Sequence, residues 1–394
     1  MNRINNRRKY VFGILIFVCC FSACDRNKKK SEGFGDALVL VDTNKKYPKK
    51  TIHWAEFADS IEYIPLETTS EFLCGGDAKV IGFTDKYIIL SNNSAGNILI
   101  FNRQGKGIGK ISKKGQGPGE YSNIFKCCYD SNTGEIFVYD IFQGKVFVYD
   151  LHGIFLRSFP AIGQELKYNG LTYHEMMIYN HEYLICYTAN KEVENPYFLI
   201  SRQTGEKISD IIIPIKKKLA ATQSEGGVTI ALGGWSPMIK SKGQFFIKEP
   251  SSDTIYCVSP SDNILRPLMV QTPSSQVEAP KLLLLNYQTG PFLFMTHVNK
   301  DFSNEPTSLI YDYRDHAIYE NDSWHAYTVL GLNMNGQMLP HATRDNVFMN
   351  GLIASRAKQL ENEDGIDSKL KDLVSKMSDD DNPLLTIITL KKKK

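Results

Sequence analysis

Short apolar runs separated by polar turns recur along this chain at a fixed offset. Ile98-Leu99-Ile100-Phe101-Asn102 is followed by Gly105 and Ile108, and 48 residues later Val146-Phe147-Val148-Tyr149-Asp150 is followed by Gly153 and Leu156. The agreement extends upstream, where Lys79-Val80 matches Cys127-Cys128 and Tyr87-Ile88-Ile89-Leu90 matches Glu135-Ile136-Phe137-Val138, and downstream, where Ile111 matches Phe159. A further 109 residues on stand Phe245-Phe246-Ile247, Ile255-Tyr256-Cys257-Val258, Leu265 and Leu268. A fainter copy, Tyr183-Leu184-Ile185-Cys186, Phe198-Leu199-Ile200, Gly205 and Ile208, lies between them. Self-similarity at such a period marks a repeat architecture.

Each unit reads as four short strands. An apolar strand leads through a polar turn such as Asp130 to Gly134 into a second strand. A third follows, then an Asn/Asp-x-x-Gly turn, then an outer strand such as Leu156-Arg157-Ser158-Phe159. The step from second to third strand is ten residues in three copies, Ile88 to Ile98, Ile136 to Val146 and Phe245 to Ile255. Regular antiparallel hairpins fit that step. A four-stranded unit of this length is a propeller blade, which buries both faces only by stacking against its copies around an axis. A β-sandwich is the competing fold, but it requires no such repeat.

From Ile52 to Leu390 there is room for six or seven units, and the period does not choose between them. After Val270 the repeat decays, though Leu282 to Asn286, Phe292 to Met295, Leu309 to Tyr311 and Ala317 to Tyr319 remain strand candidates. Within Ser355 to Met377, the spacing of Leu370, Leu373, Val374 and Met377 predicts one short amphipathic helix. Leu384 to Leu390 returns to strand and is expected in one blade with Ile61-Glu62-Tyr63-Ile64, closing the ring.

The first residues read as an address. Arg3, Arg7, Arg8 and Lys9 precede an apolar run from Val11 to Phe21, too short for the roughly 30 Å hydrocarbon core of a bilayer. The run ends in Phe21-Ser22-Ala23-Cys24, which resembles the lipobox of bacterial lipoproteins. The expected organisation is a signal peptide over 1–23, a lipidated flexible tether over 24–50 and a propeller domain over 51–394. An ordinary secretory signal is the alternative, and either way the domain is exported. Acyl chains on Cys24 would hold the protein on a membrane of the cell envelope.

Net charge is +3, with the surplus in the tether and in Lys391 to Lys394, so nothing points to nucleic acid as a partner. Five cysteines follow Cys24, namely Cys74, Cys127, Cys128, Cys186 and Cys257. An odd number without paired spacing is no disulfide framework, and those from Cys127 onward fall in apolar strands where cysteine acts as a small hydrophobe.

Ile61-Glu62-Tyr63-Ile64-Pro65-Leu66-Glu67, the loop Lys114-Gly115-Gln116-Gly117-Pro118-Gly119-Glu120-Tyr121 and the ending Asp381-Asn382-Pro383-Leu384 together resemble a family of bacterial lipoproteins described as six-bladed β-propellers. That family is distantly similar to NHL-repeat propellers. The resemblance spans nearly the whole mature chain and implies six blades; it implies no shared activity and no catalytic residues.

The glycine loop is the leading binding candidate, with Gly115, Gln116, Gly117, Gly119, Glu120 and Tyr121 as its members. Its glycines permit tight turns or close approach to a ligand, and its N–H groups suit an anion. A structural turn explains the same residues. No Gly-Lys-Ser/Thr and no following helix make it a nucleotide loop. His316, with Asp312, Arg314 and Asp315, and further on His325, His341 and Asp345, are candidates for a channel-mouth cluster, although no metal-ligand spacing supports them. His174 and His181 are seven apart, with His181 in a turn. No nucleophile elbow is present. These observations point to a binding or scaffold propeller, without cofactor or metal, for an unidentified protein or carbohydrate ligand. The alternative is a lyase or glycan hydrolase using acidic and histidine residues around the axis.

Overall fold

The computed structural model describes residues 38–162, 172–190, 192–219, 222–225, 228–231, 236–301, 305–322, 347–362 and 366–391. Six of the sheets among the described residues, each antiparallel in its repeating part, are the blades of a β-propeller, and Thr222–Glu225 with Val228–Ala231 forms a separate two-stranded hairpin. Blade 1 contains Lys79–Phe83, Tyr87–Asn92, Asn97–Asn102 and Gly107–Ile111, hydrogen-bonded in chain order. Blade 2 contains Lys126–Asp130, Glu135–Asp140, Lys145–Tyr149 and Phe155–Pro160, and blade 3 contains Glu175–Ile178, Tyr183–Tyr187, Tyr197–Ser201 and Lys207–Ile211. Blade 4 is built from Met238–Ser241, Gln244–Ile247, Thr254–Val258 and Leu265–Thr272, and blade 5 from Lys281–Thr289, Phe292–Asn299, Thr307–Asp312 and Ala317–Asn321. The strands expected in the decayed second half are therefore present.

The turns repeat because their chemistry repeats. The Asn102 side-chain oxygen accepts from the backbone N–H of Gln104 at 2.9 Å and of Lys106 at 3.0 Å, and Asp150 does the same for His152 and Ile154 at 2.9 and 2.8 Å. Gly105 in this turn has φ +80°, and a Cβ there would lie 2.1 Å from the Pro65 carbonyl oxygen, so the position requires glycine.

Burial is greatest between blades. Ile89, Ile98 and Ile100 of blade 1 pack with Ile136, Val138 and Phe147 of blade 2. Phe137 and Val148 of blade 2 pack with Leu184 and Phe198 of blade 3, and Ile185 and Tyr197 with Phe245 and Ile247 of blade 4. Between blades 4 and 5, Gln271 donates to the Lys281 carbonyl at 3.0 Å and accepts from the Leu283 N–H at 3.0 Å. Blade 5 meets blade 6 through Phe292, Phe294, Phe348 and Ile388, and blade 6 meets blade 1 through Ile64, Leu385, Ile387, Ile88 and Leu99. Six interfaces in series leave no end blade.

Blade 6 closes the ring as expected. Its central strand Leu384–Leu390 pairs with Val347–Leu352 on one side and with Ala58–Pro65 on the other, with Thr386 opposite Tyr63. The C-terminal helix is Ser368–Val374, burying Leu370 and Val374. It does not extend back to Ser355. Asp367 caps it, accepting from the N–H groups of Lys369 and Leu370, and a separate turn of helix, Ala354–Gln359, precedes it.

Two expectations are corrected. The stretch 24–50 is not tether to its end: Val39–Asp42 adds in parallel to Leu265–Thr272 of blade 4, and Lys49–Lys50 adds in parallel to Ala317–Asn321 of blade 5. Open outer edges supply the backbone partners that a lysine-rich segment lacks a core to provide. Lys79 does not correspond to Cys127. A bulge between Val80 and Gly82 shifts the register, so that Lys79, opposite Ser91, corresponds to Lys126, opposite Tyr139.

Candidate functional site

The first strands of blades 1 to 5 face a common cavity of about 380 Å³ along the propeller axis. Pairing places its side chains in two tiers. Phe83, Tyr129, Ile178, Lys240 and Gln288 occupy one level, opposite Ile88, Ile136, Leu184, Phe245 and Leu293 of the second strands. Lys79, Lys126 and Glu175 occupy another, opposite Ser91, Tyr139 and Tyr187, three residues along those same second strands. At about 3.3 Å per residue the tiers are about 10 Å apart. The Lys79 tier lies at the face where the blades are joined to one another, and the Gln288 tier at the opposite end.

Lys126 Nζ is 3.3 Å from Glu175 Oε2. Lys79 is open to the channel yet enclosed by protein. That enclosure, reinforced by the Lys126 charge, lowers its pKa from the ordinary lysine value against the weaker pull of Glu175 and Asp77. Lys240 donates to the Ile178 carbonyl at 3.0 Å. Gln288 is 3 % exposed, and its amide nitrogen and oxygen both lack a hydrogen-bond partner among the described residues. Asp130, also in the lining, is ion-paired at 2.8 Å with the buried Arg202, which also binds Glu135 at 2.6 Å. Burial raises the Cys127 thiol well above its ordinary range despite a hydrogen bond with Ser91, so it is a protonated lining group and no nucleophile.

The sequence candidates fall elsewhere. Gly115, Gln116, Gly117, Gly119, Glu120 and Tyr121 come together as one loop between blades 1 and 2, and its polar groups bind within the protein. Gly117 N–H donates to Glu120 Oε2 at 2.8 Å, and Gly115 N–H to the Tyr121 carbonyl at 2.9 Å. The fully buried Tyr121 donates its hydroxyl to the Gly96 carbonyl at 3.0 Å, while the Gly119 carbonyl accepts from Tyr149 at 2.8 Å. A Cβ on Gly115 would meet the Glu120 carboxylate at 1.9 Å. The loop lies at the Lys79 face with only Gln116 and Pro118 exposed, and none of its residues lines the cavity.

The acidic group around His316 is not at the channel. Asp312 and Asp315 hold the N-terminal strand to blade 5: Lys50 Nζ lies 2.6 Å from Asp312 and 3.3 Å from Asp315. Burial alone would raise the Asp312 carboxyl, but bonds from Arg314 and Lys50 outweigh it and hold the pKa at about 2. His316 faces the Tyr311 hydroxyl at 3.2 Å, and His325, His341 and Asp345 lie outside the described residues, as does Cys24. His174 adjoins Lys126 and Glu175 beside Phe125, whereas His181 sits in the next turn. Among the described residues, no group of three His, Cys, Asp or Glu is placed to hold a metal, and no helix is long and apolar enough to cross a membrane.

A family model, Domain of unknown function (DUF4934), matches residues 38–389. No curated protein matches the chain. Among solved structures, a protein of Bacteroides fragilis named as a candidate exported protein is similar with a TM-score of 0.64 and 16% identity, over 90% of this chain and 100% of that one. A member of the DUF4221 family from Bacteroides vulgatus is similar with a TM-score of 0.50 and 10% identity, over 85% and 98% of the two chains. Virginiamycin B lyase from Staphylococcus aureus reaches a TM-score of 0.35 at 14% identity, over 66% and 87%, too slight a likeness to carry an argument.

Proposed function

This chain belongs to the DUF4934 family, and from that premise we propose that it is an exported, lipid-anchored β-propeller that binds a small ligand in its central channel. The observation that carries the reading is the cavity of about 380 Å³ lined by five blades and holding polar groups that the fold does not use. Rigid strands fix that lining, which is the setting a binding site needs. Among its described lining residues the carboxylates are Glu175 and Asp130, each ion-paired, which favours recognition over hydrolysis by a carboxylate pair. Export is supported by the N-terminal sequence and by the candidate exported neighbour. Anchoring rests on Cys24 following Phe21-Ser22-Ala23.

Native mass spectrometry of the full chain extracted from its own envelope tests both parts. The expected spectrum shows lipid mass, lost in Cys24→Ser, and a separate dissociable small-molecule adduct. Asn93→Trp and Ser131→Trp, which place bulk at the two ends of the channel, should remove the adduct without lowering the melting temperature. An adduct retained in both variants contradicts channel binding, and unchanged membrane retention of Cys24→Ser contradicts the anchor.

A further inference from the structure

Among its described residues, the channel lining holds three lysines and two carboxylates. Lys79, Lys126 and Lys240 line it with Glu175 and Asp130. Asp130 is engaged by Arg202 and Glu175 by Lys126, while Asp77, beside Lys79, accepts from the Ser94 N–H and hydroxyl at 2.9 and 2.7 Å. Among the described residues, two ammonium groups therefore stand together at one end of the cavity, and of the two only Lys126 has a carboxylate within ion-pair distance. At the other end, beside Lys240, Gln288 holds a buried amide with neither donor nor acceptor satisfied among the described residues. Buried polar groups are almost always paired, so an amide left open on a cavity wall marks where a ligand atom belongs. Apolar lining from Ile81, Met176 and Met177, which stand between the two tiers in their strands, separates the two ends.

We propose that the channel takes an elongated organic anion, its carboxylate or phosphate seated between Lys79 and Lys126 and its carbonyl- or hydroxyl-bearing body reaching Gln288 and Lys240 about 10 Å further along the axis. The proposal rests on the channel-binding reading and specifies its ligand. An ammonium pair discriminates by charge, and the amide by hydrogen bonding, since the wrong partner leaves it unsatisfied. The ligand thus requires both an acid group and a polar body.

Titration calorimetry on the full chain in detergent, with probes of matched shape, tests this. N-acetyl-diglycine carries a carboxylate on an amide body and glucose 6-phosphate a phosphate on a hydroxylated one; N-acetyl-diglycinamide and glucose are their neutral counterparts. At least one anion should bind about tenfold more tightly than its counterpart, and the better of the two identifies the acid group. Lys79→Gln should abolish that preference. Gln288→Leu should weaken the anion while raising the melting temperature of the unliganded protein, an outcome a purely structural glutamine would not give. Neutral probes binding as tightly as anions, a preference surviving Lys79→Gln, or no binding of either anion at millimolar concentration would overturn the inference. A channel adduct lost in Asn93→Trp would still leave the broader reading standing in those cases.

Discussion

His297 shows what burial does to a single group here. It lies in the second strand of blade 5, opposite Leu283 and Thr307, with 9 % of its surface exposed. Desolvation, helped by the Lys281 charge, lowers its pKa to about 4. An unfolded histidine titrates near 6.5, so between those values the unfolded chain binds the proton and the folded one does not. Stability should be full above pH 6.5 and fall as pH drops toward 4, by on the order of 2–3 kcal/mol from this group. Urea denaturation of wild type and His297→Gln across that range checks it. The variant should lose most of the slope, and parallel curves would show that His297 is not its source. At this same scale the sequence was least legible. Tyr121 and Glu120 attract attention in a glycine-rich loop, yet tertiary contacts turn them inward. The lysines of the channel stood in plain strands, and a one-residue bulge hid the match of Lys79 to Lys126.

At the scale of elements, the closing strand depends on the residue just before it. Asn382 is 1 % exposed; its side chain accepts from Cys74 N–H at 2.8 Å and donates to the Glu67 and Phe72 carbonyls at 2.7 and 2.6 Å. It thereby ties the start of Leu384–Leu390 to the segment joining blade 6 to blade 1. Asn382→Ala leaves one buried and two part-buried backbone groups unanswered and should destabilise the protein by about 2 kcal/mol, read as a shifted denaturation midpoint. A change below about 0.5 kcal/mol would show that water replaces the amide without penalty. This contact also explains in physical terms why Asp381-Asn382-Pro383-Leu384 stands out in the sequence. Strands and their turns were readable because alternation and Asn/Asp-x-x-Gly chemistry are local. The strap Val39–Asp42 was not, because its partner lies 230 residues away in blade 4 and its own composition suits a linker. The helix was half readable: Leu370 and Val374 declare it, whereas its start is set by the Asp367 cap.

For the whole molecule, repetition predicted blades and the ends of the chain predicted closure, but the period left six and seven equally possible. The number follows from packing, since six interfaces return the chain from blade 6 to blade 1. The proposed site belongs to this scale too, because no blade alone makes the channel, and Lys79, Lys126, Lys240 and Gln288 share one cavity only when blades 1, 2, 4 and 5 surround one axis. That is why sequence analysis could name a propeller without naming the residues that line its channel. Ring closure is therefore the claim on which the site depends, and native-state hydrogen exchange tests it most directly. The backbone amides of Ile61 to Ile64 and Leu384 to Leu390 should be as protected as those of Glu135 to Tyr149 in blade 2, all opening together in global unfolding. Fast exchange of the two terminal strands while blade 2 stays protected would mean an open ring, and would contradict the account.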